Sequence, residues 1–141
     1  RLYTLPLLDL LPALPGAIHA PSHVTGGGIA ANLARVLPPQ AWVELDRSTW
    51  APSPVFRVLA DLGGLRLEDT EGTWNLGIGF VAVVSAEKAD AAASLLSAAG
   101  IATWQVGVVQ EGARPEGHFE QGAKGVDGGA VRLVGAYSSA V

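Results

Sequence analysis

The chain has 141 residues, 49% of them hydrophobic, and a formal net charge of −4. That apolar share supports one compact core at the usual size of a single domain. The acidic balance, with nine Lys and Arg scattered along the chain, argues against nucleic acid or an anionic membrane as the main partner, because both select a clustered basic surface.

The absence of cysteine rules out disulfides and thiolate metal ligands, and it fits a reducing compartment. No apolar run approaches the roughly 20 residues that cross a bilayer. The Leu-rich opening is broken by Pro6, Asp9, Pro12 and Pro15, and it lacks the basic leader and cleavage site of a signal peptide. A chain without Met that starts at Arg1 is expected to be part of a longer product.

In chain order, Thr4-Leu5-Pro6 offers a capping residue and an early Pro ahead of Leu7, Leu8, Leu10, Leu11 and Leu14, so a short amphipathic helix is expected up to Pro15-Gly16. Residues 17–24 suit a strand, which Pro21 confines to an edge or a bulge. The triplet Gly26-Gly27-Gly28 then opens a helix over Ile29–Leu37, stopped by Pro38-Pro39. Alternation over 41–46 predicts a strand. Ser53-Pro54 starts a helix through Val55, Phe56, Val58, Leu59 and Leu62 that ends at Gly63-Gly64. A helix-forming patch covers Leu65–Glu71.

Further on, the β-branched run over 78–84 predicts a buried strand. Ser85 begins an Ala-rich helix that Gly100 ends, and 102–109 reads as the next strand. This β-α-β order implies a layered, mixed α/β sheet. The composition then shifts to Gly, Glu, Lys and Pro, so 110–129 is expected to be a long Gly-rich loop before a last strand over 131–134.

The residues with chemical promise cluster around the glycines. A helix N-terminus presents N–H groups without intrahelical partners and about half a positive charge. Consecutive glycines remove every Cβ that would keep an anion away, and Thr25 adds a hydroxyl. The spacing is neither that of a Walker loop nor that of a dinucleotide fingerprint. A tight strand-to-helix turn without a ligand explains the same pattern equally well. Asn75-Leu76-Gly77-Ile78-Gly79 is a second glycine-bearing turn, with Trp74 beside it as a packing residue or a shield. His19 and His23 stand four apart but straddle Pro21, so no metal site is expected. Glu116, His118 and Glu120 alternate, and a solvated loop accounts for them. No nucleophile–base set is readable from the order of residues.

Taken in order, His23-Val24-Thr25-Gly26-Gly27-Gly28-Ile29, Asn32, Arg35-Val36-Leu37-Pro38, Trp50, Pro54-Val55-Phe56-Arg57 and Thr73-Trp74-Asn75-Leu76-Gly77-Ile78-Gly79 resemble successive blocks of the phosphoribosylformylglycinamidine cyclo-ligase family, the aminoimidazole ribonucleotide synthetases. The likeness covers about Arg1 to Val109. It implies an α+β fold, a mixed α/β sandwich partly ferredoxin-like, forming over 1–141 the single C-terminal domain of a two-domain enzyme.

The implied reaction is an ATP-dependent ring closure of formylglycinamidine ribonucleotide in purine biosynthesis. ATP and Mg2+ would be bound mainly by an N-terminal domain, and this part would need no cofactor of its own. The implied partners are that N-terminal domain, a second copy in a homodimer and a phosphorylated nucleotide substrate, in the cytoplasm. Carried over by position, His23, Thr25, Gly26, Gly27, Gly28 and Asn32 form the phosphate-facing set, with Arg35 and Asn75 as weaker additions. Ala20-Pro21-Ser22 departs from the apolar residue usual ahead of the histidine. Competing readings are another member of the same superfamily, of the amidotransferase, selenophosphate synthetase or thiamine-phosphate kinase type, and a non-catalytic phosphate-binding module.

Overall fold

The computed structural model describes residues 3–122 and 127–138. Four helices, α1 (Thr4–Ala13), α2 (Gly28–Ala34), α3 (Pro54–Leu62) and α4 (Ala89–Ala98), accompany six strands, β1 (Ile18–His23), β2 (Ala41–Asp46), β3 (Phe80–Val84), β4 (Val109–Glu111), β5 (Glu120–Gln121) and β6 (Ala130–Val134). β1 and β3 form an antiparallel pair, and the other four form a mixed sheet in the order β4-β2-β6-β5. This is the α+β class that the sequence implied.

Among the described residues β1 has β3 as its only sheet neighbour, and its register slips between Ile18 and Ala20. Pro21, which has no N–H to donate, is thus accommodated on an edge strand with a bulge. In the mixed sheet β2 runs parallel to β6, with Val43 opposite Val131 and Leu45 opposite Leu133. β2 alternates strictly, so Ala41, Val43 and Leu45 are buried while Trp42, Glu44 and Asp46 turn outward. The inward row meets Ile29, Leu33 and Leu37 from the α2 segment, together with Trp50, Ile78 and Val131, and these side chains form the main core.

Several expectations are corrected. Thr4 is the first residue of α1 and not its cap, which is Tyr3. α2 stops at Ala34 instead of Leu37: the Val36 N–H bonds the Leu33 carbonyl at 3.0 Å in a 3-10-type turn, and Pro38 has no N–H to give the Ala34 carbonyl. The patch at 65–71 forms only a 3-10 turn, Leu67–Thr70. The strand expected from 78 begins at Phe80. The Ala-rich helix opens with a 3-10 turn at Ala86–Lys88 before α4 proper.

The strand expected over 102–109 is recognisable only at its far end, where Val109 pairs with Val43. Its ladder is interrupted at Gly107, which lies against the Glu44 carbonyl, and the Asp46 N–H bonds the Val106 carbonyl at 2.9 Å. The presumed β-α-β unit is therefore split: β3 belongs to the two-stranded sheet, β4 pairs with β2, and the parallel partners are β2 and β6.

The expected 110–129 loop contains the strands β4 and β5, and its residues 123–126 lie outside those described. Arg132 organises its middle. The guanidinium pairs with Glu44, donates to the Glu116 carbonyl at 2.7 Å and sits 4.6 Å from the Phe119 ring centroid. Phe119 in turn meets Trp42 edge to face.

Candidate functional site

The glycine loop joins β1 to α2. Strand alternation carries past the end of β1, so His23 and Thr25 are exposed on either side of buried Val24, whose N–H bonds the Gly79 carbonyl at 3.0 Å. The chain then turns through Thr25-Gly26-Gly27-Gly28, closed by the Gly28 N–H donating to the Thr25 carbonyl at 3.2 Å. Gly27, at φ 101° and ψ −2°, occupies the third position of this turn, where positive φ is required. Gly28 also has positive φ, at 69°, and a Cβ there would overlap the Glu71 carbonyl oxygen. Gly26 differs: a Cβ there would meet nothing within 4 Å, so its side of the loop is open to an approaching molecule.

Asn32 holds the loop from beneath. It is 2% exposed, and its Nδ2 donates to the Gly28 carbonyl at 2.7 Å and the Thr25 carbonyl at 3.3 Å, with Gly26 O at 3.5 Å. Its Oδ1 accepts from the Thr25 hydroxyl at 3.2 Å and from an Arg35 guanidinium N–H. The polar atoms of Asn32 are thus engaged in shaping the turn. Thr25 is exposed, and its hydroxyl donates to Asn32 Oδ1 at 3.2 Å. Arg35 serves the same clamp.

Asn75 is a turn residue. Its side-chain oxygen accepts from the Gly77 N–H at 3.1 Å and its carbonyl from the Ile78 N–H at 2.9 Å. Leu76 and Gly77 between them have φ values of 48° and 96°, as in a type I′ turn.

Behind the loop stands a wall that the sequence did not reveal. The Glu71 carboxylate receives a bidentate pair of bonds from Arg47, at 2.6 and 2.8 Å, and a 2.6 Å bond from the Tyr137 hydroxyl. The hydrogen bond to Glu71 raises the pKa of Arg47 above its already high ordinary value. Burial first, and then the bond to Glu71, push the Tyr137 phenol far above its ordinary range. These groups are 24 and 66 residues apart along the chain, and no local pattern signals their meeting. The wall fixes Glu71, whose backbone carbonyl presses on Gly28, and the Trp74 carbonyl lies 3.4 Å from where a Gly28 Cβ would be.

The exposed residues of the turn are thus His23, Thr25 and Gly26, none of which brings a carboxylate for a divalent cation. Among the described residues, no group of three or more His, Cys, Asp or Glu converges. A separate crevice of about 790 Å3 lies beside β2, β3 and α4 and is lined mainly by aliphatic residues such as Leu10, Leu33, Val43, Val83 and Leu96. It does not include the glycine turn and presents few donors for an anion.

An α+β domain whose glycine turn lies between a strand and a short helix defines a class, and the comparison with known families agrees. Residues 1–120 match the family described as "AIR synthase related protein, C-terminal domain", and the chain belongs to it. Among individual proteins, it is 42% identical over 116 residues to the phosphoribosylformylglycinamidine cyclo-ligase of Paraburkholderia xenovorans, covering 82% of this chain and 32% of that protein. It is 39% identical over 120 residues to the cyclo-ligase of Cupriavidus pinatubonensis, covering 85% and 33%. A Streptomyces fradiae protein provisionally named for the same activity is 38% identical over 138 residues, 98% of this chain and 70% of that protein. The chain therefore spans about a third of the length of the first two relatives.

Proposed function

We propose that this chain is the C-terminal domain of an ATP-dependent phosphoribosylformylglycinamidine cyclo-ligase and acts in the cytoplasm in purine biosynthesis. One observation carries the reading. The glycine turn, open at Gly26 and braced by Asn32 and Glu71, lies in a chain that two cyclo-ligases match over more than four-fifths of its length.

In this reading the turn is one wall of a cleft, and the other wall is the domain that precedes this one in the longer relatives. That domain holds most of the ATP and Mg2+ contacts, and bound ATP supplies the phosphoryl group that activates the formamide oxygen of formylglycinamidine ribonucleotide. The residues of this chain contribute position and charge compensation. The Gly26 and Gly27 amides, with His23 beside them, hold a phosphate of the nucleotide or of the ribonucleotide substrate. Donors fixed before the ligand arrives spare the reorganisation that mobile groups would require. The assembled enzyme works as a homodimer.

The division of labour sets the test. The isolated 141-residue chain, supplied with formylglycinamidine ribonucleotide, ATP and Mg2+, should release no phosphate above background. The same chain fused behind the preceding domain of the Cupriavidus pinatubonensis relative should form the imidazole product. Turnover by the isolated chain would overturn the proposal.

A further inference from the structure

We infer that the segment following β6 is a latch that positions the glycine turn for its ligand: Tyr137 and Arg47 fix Glu71, and Glu71 fixes Gly28. The inference rests on the proposed phosphate-holding role of the turn and adds the positioning residues behind it.

The latch follows from strand direction. β2 and β6 run parallel, with Asp46 opposite Val134, so the chain leaves both strands at the same end of the sheet and delivers Arg47 and residues 135–138 side by side. Arg47 donates to the Gly135 carbonyl at 3.2 Å, the Ser138 hydroxyl bonds the Ser48 carbonyl, and Arg57 on α3 reaches the Ser138 carbonyl at 3.4 Å. The Tyr137 ring lies against Arg47 and against buried Trp50. These are the two groups that hold the 71–76 stretch, since Arg47 grips the Glu71 carboxylate and the Trp50 indole N–H bonds the Leu76 carbonyl at 3.2 Å. Residues 1–120 carry the family match, and the latch lies beyond them.

Geometry carries its effect to the turn. Three donors converge on the Glu71 carboxylate, two from Arg47 and one from Tyr137, and the side chains of Arg47 and Glu71 are only 14% and 15% exposed. A guanidinium fork joined by a hydroxyl leaves the carboxylate one orientation, and the backbone of Glu71 is held with it. Its carbonyl oxygen fills the place of the absent Gly28 Cβ. On the other side, Asn32 Nδ2 bonds the Gly28 carbonyl at 2.7 Å, while the Gly28 N–H closes the turn on the Thr25 carbonyl. Gly28 is thus gripped between Asn32 and Glu71, so a displacement of Glu71 passes to the turn. Support of this kind keeps a binding group within about 0.5 Å of its working position. A brace for the fold as a whole would instead act on the sheet and the turn alike.

The test separates positioning from stability. Tyr137→Phe keeps the ring on Trp50 and removes only the hydroxyl. In NMR hydrogen exchange on the 141-residue chain, the Gly28 amide should exchange about tenfold faster in this variant relative to the amides of the β2–β6 ladder. Equal acceleration at both places would overturn the inference, as would no acceleration at Gly28.

Kinetics supply the second readout, in the fusion behind the preceding domain of the Cupriavidus pinatubonensis relative. Tyr137→Phe should raise the KM of ATP or of formylglycinamidine ribonucleotide about fivefold and leave kcat within about twofold, because a group that grips a phosphate equally before and in the transition state contributes to binding alone. Glu71→Ala should raise the same KM further. Glu71→Gln, which keeps an acceptor oxygen for the hydroxyl, should recover most of that loss. KM values unchanged in both Tyr137→Phe and Glu71→Ala would overturn the inference whatever the shift in Tm. Exchange and turnover separate the two claims: product formed with Gly28 exchange and KM unaltered removes the latch alone, and faster Gly28 exchange without product from any fusion removes the reaction alone.

Discussion

At the scale of single residues, the three glycines of the turn are not equivalent. Gly28 combines a positive φ with a backbone carbonyl where its Cβ would stand, whereas Gly26 has neither constraint. Gly28→Ala should therefore destabilise the fold by about 3 kcal/mol or more, through left-handed strain of about 1–3 kcal/mol with steric overlap added. Gly26→Ala should lower stability by less than about 0.5 kcal/mol. Urea unfolding of both variants measures the difference, and equal losses would contradict the assigned roles. The glycine triplet and its flanking His23 and Thr25 were legible in the sequence because local chain direction depends on neighbouring residues. The role of Asn32 was not. A residue one turn into a helix can point out toward a ligand or back under its own N-terminus, and only the packing of α2 against the core decides between them.

At the scale of elements, the segments between strands owe their order to a few long side chains. Composition alone makes 110–129 a featureless loop. Arg132, from the neighbouring strand β6, ties it down through Glu116 and Phe119 and at the same time pairs with Glu44 on β2. Replacing Arg132 with Ala should lower stability by only about 0.5–1 kcal/mol, because the ion pair is partly exposed. Amide hydrogen exchange should nevertheless accelerate selectively over residues 116–121. Uniform acceleration across the whole molecule would show that Arg132 stabilises the sheet and not the loop. The early end of α2 has a local origin: Pro38 has no N–H for the Ala34 carbonyl, and the Val36 N–H turns to the Leu33 carbonyl at 3.0 Å, the 3-10-type bond that closes the helix.

At the scale of the whole molecule, Tyr137 draws distant parts together. Its ring meets Trp50 edge to face at 5.3 Å, Arg47 lies over it, and its hydroxyl bonds Glu71. Because its folded pKa is raised above the ordinary phenol value of 10.0, the folded protein keeps a proton that the unfolded chain releases. The associated stability is complete below about pH 10 and is lost as pH rises beyond it. The Tm of the unsubstituted chain should fall more steeply between about pH 10 and 11.5 than that of Tyr137→Phe, which has no proton to lose. Parallel slopes in thermal melts would show that the hydroxyl is not held as described.

By itself the sequence determined the helix and strand segments along most of the chain, the glycine turn and the family. Each of these rests on local propensity, on apolar period or on ordered blocks of residues. Tertiary structure decided which strands pair, since β2 finds its parallel partner in β6 and not in a strand of the expected β-α-β unit. It also decided the wall of Arg47, Glu71 and Tyr137 behind the turn. The physical reason is the same in each case. Pairing, ion-pair geometry and exposure depend on distances between residues far apart in the chain, and a linear order of side chains does not contain those distances.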